Sequence, residues 1–107
     1  MRNLTCTLFL ALLLPLSSSA APAEPWGKVD TSNAKKLHDA SCVSCHVRMY
    51  GGDGSRMYTR DGRVLSTQLD VLQRVASCNA MVSAGWFPDE EGSVAAWLNR
   101  TYYHYKN

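Results

Sequence analysis

The sequence lacks a marked excess of charge of either sign, since its 107 residues carry 11 Lys and Arg against 9 Asp and Glu. A net charge of +2 excludes a strongly basic nucleic-acid-binding domain. The hydrophobic share of 46% is too high for a disordered tail. The length allows one domain, and a barrel or a doubly wound sheet would need a longer chain.

Hydrophobic runs are also scarce, and the long one lies at the start of the chain. Leu4–Leu16 is apolar almost throughout and follows the positive charge of Arg2. The run has roughly 13 residues and contains Pro15, whereas a helix needs about 20 to cross a bilayer. Its length and flanks are typical of a secretory signal peptide and not of a membrane anchor.

Small residues after this run supply a cleavage site, with cleavage after Ala20 or Ala23. We therefore predict a signal peptide over residues 1–23 and a mature domain over 24–107. The mature domain is expected in the periplasm, with no membrane span after cleavage. Without the leader, a small protein with a thin core remains.

Cysteines are few and odd in number once Cys6 is removed with the leader. Cys42, Cys45 and Cys78 remain. A simple disulfide framework would contain an even number of cysteines. The spacing of the first two therefore calls for another explanation.

Residues 42–46 have the pattern C-x-x-C-H, the attachment signature of c-type haem. Two thiols one helical turn apart reach both vinyl groups of a porphyrin, and the following histidine lies under the iron. We predict that Cys42 and Cys45 bind one covalently attached haem c. His46 is then the proximal ligand of the iron.

Two other chemistries of the cysteine pair fit the sequence less well. A thioredoxin-like redox pair follows a strand in a βαβ unit, and no strand pattern precedes Cys42. A zinc site needs a second pair of ligands, and His38, Cys78 and His104 have no paired metal-ligand spacing.

Helical spacing of apolar residues predicts one helix over residues 30–42 and another from Pro88 onward. Thr31 or Ser32 is expected to cap the first. The second begins with proline and three acidic residues, which suit the positive end of a helix dipole. Its apolar residues form one face that is expected to pack on the first helix: Val94, Trp97, Leu98, Thr101, Tyr102 and Tyr105.

A third helix is predicted between these two, over residues 65–84. Thr67 and Asp70 form a variant of the capping box at its start, and Gly85 is expected to stop it. The glycine-rich stretch over 51–63 is predicted to be a loop.

The first and last helices resemble those of class I cytochromes c. In that family a leucine five residues before the first cysteine precedes C-x-x-C-H, as Leu37 precedes Cys42 here. The string over 94–98 is similar to the terminal helix, whose aromatic residue, here Trp97, packs on the first helix beside the haem. The resemblance implies an all-α, cytochrome c-like fold of three to four helices around one haem. It also implies an electron carrier.

The sequence departs from that family at three places. Ala34 stands where the family has glycine, and His38 stands where it has an aromatic residue. The family has a proline after the motif whose carbonyl orients the proximal histidine, but here no proline lies between His46 and Pro88. Another carbonyl must therefore orient the imidazole, or the fold is rearranged there.

The sixth ligand decides what the iron does. The resemblance implies a distal methionine about 16 residues before the aromatic residue of the last helix, and Met81 occupies that position. Met57 is the second methionine candidate. The pair Cys78-Asn79 is similar to one in exported high-spin cytochromes. Thiolate ligation by Cys78, as in some sulfur-oxidising cytochromes, is a separate alternative. With an open or thiolate-ligated iron, the protein would bind small molecules or catalyse oxygen, peroxide or sulfur chemistry instead of carrying electrons.

Four arginines cluster after the haem motif: Arg48, Arg56, Arg60 and Arg63. They are candidates for pairing with the haem propionates or for docking an acidic redox partner protein. A solvated loop would carry such charges equally well.

Overall fold

The structure, a computed structural model, describes residues 10–16, 23–61 and 64–107. Most of the predicted signal peptide, including Arg2 and Ala20, lies outside these residues. Its described residues, 10–16 and 23, have no regular secondary structure, and the leucines among them are exposed, with Leu16 at 99%. No helix within the described ranges is long and apolar enough to cross a membrane.

The described part of the chain is helical and contains no strand, which confirms the all-α prediction. Five α-helices precede a π-helical segment. Their bounds are α1 Thr31–Ser41, α2 Val43–Tyr50, α3 Arg56–Thr59, α4 Gln68–Val82 and α5 Pro88–Leu98, and the π-helical segment is Asn99–Tyr103.

The helix ends follow local side-chain chemistry. Asp30, and not Thr31 or Ser32, caps α1, because its carboxylate accepts a hydrogen bond from the Asn33 backbone N–H at 3.2 Å. The predicted capping box of Thr67 and Asp70 is confirmed at the start of α4.

The other end of α4 differs from the prediction. This helix stops at Val82, because Ser83 adopts the left-handed conformation (φ 53°) two residues before the predicted stop at Gly85.

Helix α5 lies at the centre of the core and packs against both α1 and α4. Small side chains allow this close packing, since Ala34 of α1 and Ala95 and Ala96 of α5 have no exposed surface. The predicted contact between the first and last helices is therefore confirmed. Val71 and Val94 are the largest fully buried side chains among the described residues, so the core is thin.

Gly92 of α5 marks the tightest backbone contact. A Cβ atom at this position would lie 2.1 Å from the carbonyl oxygen of Trp26, whose side chain is buried. The segment before α1 thus packs directly on the backbone of α5, which a larger residue would prevent.

The π-helical segment changes the face that the last helix presents. His104 N donates to the Asn99 carbonyl at 2.7 Å, and the Asn99 side chain holds the Tyr105 backbone N–H at 2.9 Å. The wider turn leaves Thr101 exposed, contrary to the predicted apolar face, and brings Tyr102 and Tyr103 against the ring of Tyr58. Tyr58 belongs to α3, a short helix within the stretch that was predicted to be a loop.

Candidate cofactor-attachment site

The C-x-x-C-H motif lies at the joint between α1 and α2. Cys42 separates the two helices, and its N–H donates to the His38 carbonyl at 2.9 Å. His46 N donates to the Cys42 carbonyl at 3.3 Å, so the first cysteine and the histidine are one helical turn apart, as the motif requires. Cys42, Cys45 and Cys78 are free thiols, and each is half-buried.

A mostly apolar cavity of about 70 Å³ lies beside this turn. Cys42 and His46 contribute to its wall from the motif, and Met57 and Cys78 contribute from α3 and α4. The remaining lining residues are largely hydrophobic and include Val64, Leu65, Val71, Val75, Trp86, Val94, Leu98 and Tyr103. A site that combines thiols, an imidazole and an apolar wall suits a large, flat, mostly apolar cofactor.

The structure separates the candidate distal ligands. Met57 and Cys78 line the cavity, whereas Met81 does not and is 77% exposed. Met81 lies on the last turn of α4, where Val82 is also exposed. Ligation by Met81 therefore stays a prediction, and it requires that turn to move toward the cavity.

A tyrosine hydroxyl lies beside the imidazole of His46, for which the sequence provides no proline carbonyl after the motif. The hydroxyl oxygen of Tyr58 is 2.9 Å from Nδ1 of His46 and 2.6 Å from Nε2 of His38. Burial lowers the pKa of His38 and of His46, and it raises the pKa of Tyr58. All three side chains are thus neutral at pH 7.

His38 is 5% exposed and packs against Trp97, with ring centroids 4.8 Å apart. It is therefore a buried residue of the helix and not a surface residue. Sequence reasoning missed Tyr58, because the glycines around it indicated a loop. The aromatic residue itself was the only available signal.

The arginines divide into two groups. Arg48 and Arg56 are exposed, and Arg63 lies outside the described residues. Arg60 lines the cavity, and its Nε atom is buried with no hydrogen-bond partner among the described residues. Its guanidinium carbon lies 5.5 Å from the centre of the Tyr50 ring. Arg74, which the sequence did not single out, also lines the cavity.

These residues fit a haem in chemistry. The motif supplies two thiols and an imidazole, and the buried Nε of Arg60 lacks the kind of acceptor that a propionate carboxylate provides. In volume, about 70 Å³ is less than a porphyrin occupies, so attachment requires the walls of the cavity to move apart. No three His, Cys, Asp or Glu side chains converge as a metal site in the described ranges. A haem iron needs only axial ligands from the protein, because the porphyrin supplies the other four.

Gly54 holds the loop before α3 against the motif. A Cβ atom there would lie 2.8 Å from Cβ of His46, and φ is +84°. We expect Gly54→Ala to destabilise the fold by about 3 kcal/mol, because backbone strain and a clash add together.

Gly52 provides a matched control, since φ is +57° but a Cβ atom would meet nothing within 4 Å. Gly52→Ala should cost only the strain of about 1 kcal/mol. Denaturant unfolding measures both variants. Equal losses would mean that the loop does not press on His46.

No known family model, curated protein or solved structure matches the chain. A functional assignment therefore rests on the motif and on the geometry of this site.

Proposed function

We propose that the protein is an exported monohaem c-type cytochrome with a cytochrome c-like fold that carries electrons in the periplasm. The observation that carries the proposal is the C-x-x-C-H turn at the wall of an apolar cavity, with Cys42 and His46 both lining it. Cys42 and Cys45 hold the haem, and His46 ligates its iron. The bound haem supplies a one-electron redox centre.

The state of the thiols supports attachment over disulfide exchange. Burial raises the pKa of Cys42 to about 11. A redox-active Cys-x-x-Cys pair needs a stabilised thiolate and therefore a lowered pKa. The Cys42 thiol is instead protonated at neutral pH. This state suits a cysteine that forms one permanent thioether bond and does not exchange disulfides.

The protein residues around the cavity have separate roles. Apolar side chains of α4 and α5 exclude water from the iron, which affects its reduction potential. Arg60 and Arg74 are placed to neutralise the propionates, since both line the cavity. Arg48 and Arg56 remain exposed for an acidic redox partner protein. Arg63 of the sequence cluster lies outside the described residues.

The second candidate function is a haem protein with a thiolate-ligated or open iron, which would bind or transform small molecules. One observation favours it: Cys78 lines the cavity, whereas Met81 is 77% exposed. The identity of the distal ligand separates the two functions, because methionine raises the potential of a carrier and an open position admits ligands.

The experiment is expression with a haem-attachment system, followed by acid-acetone extraction, a pyridine haemochrome spectrum and low-temperature EPR of the oxidised protein. We expect haem that stays with the chain, together with a low-spin methionine-ligated signal. A chain that retains no haem would overturn the assignment. A thiolate or high-spin signal would favour the second function.

Three single substitutions identify the distal ligand. A methionine ligand gives the oxidised protein an absorption band at about 695 nm. We expect this band to disappear in one of Met81→Ala and Met57→Ala and to survive in Cys78→Ser. If Met81→Ala retains the band and Met57→Ala loses it, the position inferred from resemblance is wrong and the cavity-lining methionine is the ligand. If the wild-type protein itself lacks the band, methionine ligation is excluded.

A further inference from the structure

Tyr58 lies between two histidines and contacts both. It is 5% exposed, its ring stacks on Tyr102 with centroids 5.0 Å apart, and its hydroxyl lies within hydrogen-bond distance of His46 and His38. A phenol carries one proton and accepts hydrogen bonds through its oxygen lone pairs. It therefore donates to one imidazole and accepts from the other.

Asp39 fixes the direction of these hydrogen bonds. Its Oδ1 lies 3.1 Å from Nδ1 of His38, and its Oδ2 lies 2.6 Å from Nζ of Lys35. Lys35 and His38 lower the pKa of the Asp39 carboxyl group, so it is ionised at neutral pH and only accepts hydrogen bonds. Nδ1 of His38 consequently carries the proton, and its Nε2 has a free lone pair.

The position of the proton on His38 determines the positions of the protons on Tyr58 and His46. The Tyr58 hydroxyl donates to Nε2 of His38, and its oxygen accepts the Nδ1–H of His46. Nε2 of His46 is then left with a lone pair. This is the tautomer that binds a metal ion through Nε2.

We propose that Tyr58 is the positioning residue of the proximal histidine, and that Asp39 and His38 act through it. This inference rests on the proposed haem function. The Tyr58 oxygen replaces the backbone carbonyl of a proline that this chain lacks after the motif. It fixes the ring of His46 and, as a hydrogen-bond acceptor, makes that imidazole a stronger donor to iron.

A stronger imidazole donor stabilises ferric over ferrous iron and so lowers the reduction potential. Tyr58→Phe keeps the ring and removes the hydroxyl. We expect the potential of this variant to shift to more positive values. Tyr102→Phe is the matched control, because it also removes one hydroxyl from the same aromatic stack but does not touch His46, and its potential should equal that of wild type.

A double-mutant cycle tests whether His38 acts through Tyr58. His38→Leu should shift the potential in the same direction as Tyr58→Phe, and by less. In the Tyr58→Phe background, His38→Leu should produce no further shift. An additive effect in the double variant would overturn the relay, because it would show that His38 acts on the haem independently of Tyr58.

The hydrogen bond between His46 and Tyr58 can also be observed directly in the wild-type protein. In the reduced, diamagnetic state, ¹⁵N-resolved NMR should show the Nδ1–H proton of His46 in slow exchange with solvent. The absence of that proton, or an unchanged potential in Tyr58→Phe, would overturn this proposal while the haem stays attached. A wild-type chain without covalent haem would overturn the proposed function and this proposal together, so the two failures are distinguishable.

Discussion

The double variant Cys42→Ser, Cys45→Ser is expected to lose all covalently attached haem. Serine preserves the size of both side chains but has no sulfur to form a thioether with a vinyl group. Either single variant should keep the haem through one remaining thioether. Mass spectrometry of the chain after acid-acetone extraction measures the outcome directly.

Cys78→Ser is the matched control for this experiment. Cys78 is also half-buried and lines the same cavity as Cys42, but it stands outside the motif. We expect its variant to retain the full amount of covalent haem. Haem that persists in the double variant, or that is lost equally in Cys78→Ser, would contradict attachment through the C-x-x-C-H motif.

Gly92→Ala is expected to lower the free energy of unfolding by about 4 kcal/mol. The added Cβ atom would lie 2.1 Å from the Trp26 carbonyl oxygen, which is backbone and cannot rotate away. Overpacking costs up to about 3 kcal/mol, and displacement of the buried Trp26 side chain adds to that cost. Denaturant unfolding gives the stability change.

Gly27 supplies the comparison for Gly92, because it is adjacent to Trp26 and a Cβ atom there would meet nothing within 4 Å. Its φ of +71° means that Gly27→Ala costs the backbone strain alone, about 1 kcal/mol. A loss in Gly92→Ala no larger than that in Gly27→Ala would show that α5 and the Trp26 segment separate easily. We expect a clearly larger loss in Gly92→Ala, because its Cβ atom would clash with the Trp26 backbone.

Features that depend on neighbouring residues were predictable from the sequence. The capping box of Thr67 and Asp70, the helix that begins at Pro88 and the turn between Cys42 and His46 each arise from contacts within four residues. The two errors at helix ends were also local in origin. Asp30, and not Thr31, caps α1. Ser83 adopts the left-handed conformation and ends α4 two residues before Gly85.

The site beyond the motif depended on residues that are far apart in the chain. Tyr58 meets both His38 and His46 because the loop at Gly54 passes tightly over the motif, where only glycine fits. Periodicity contains no information about such an approach. The π-helical segment also contributes to the site, because it turns Tyr102 toward Tyr58. A regular helical repeat does not predict this contact.

By itself the sequence determined the all-α class, the main helices and the C-x-x-C-H turn. Their causes are periodicity, capping and short spacing along the chain. Only the tertiary structure decided that Cys78 and Met57 line the cavity, that Met81 is exposed, and that a tyrosine lies beside the motif histidine. Those facts depend on how α1, α3, α4 and α5 pack together, and the packing of distant segments is set by the whole core.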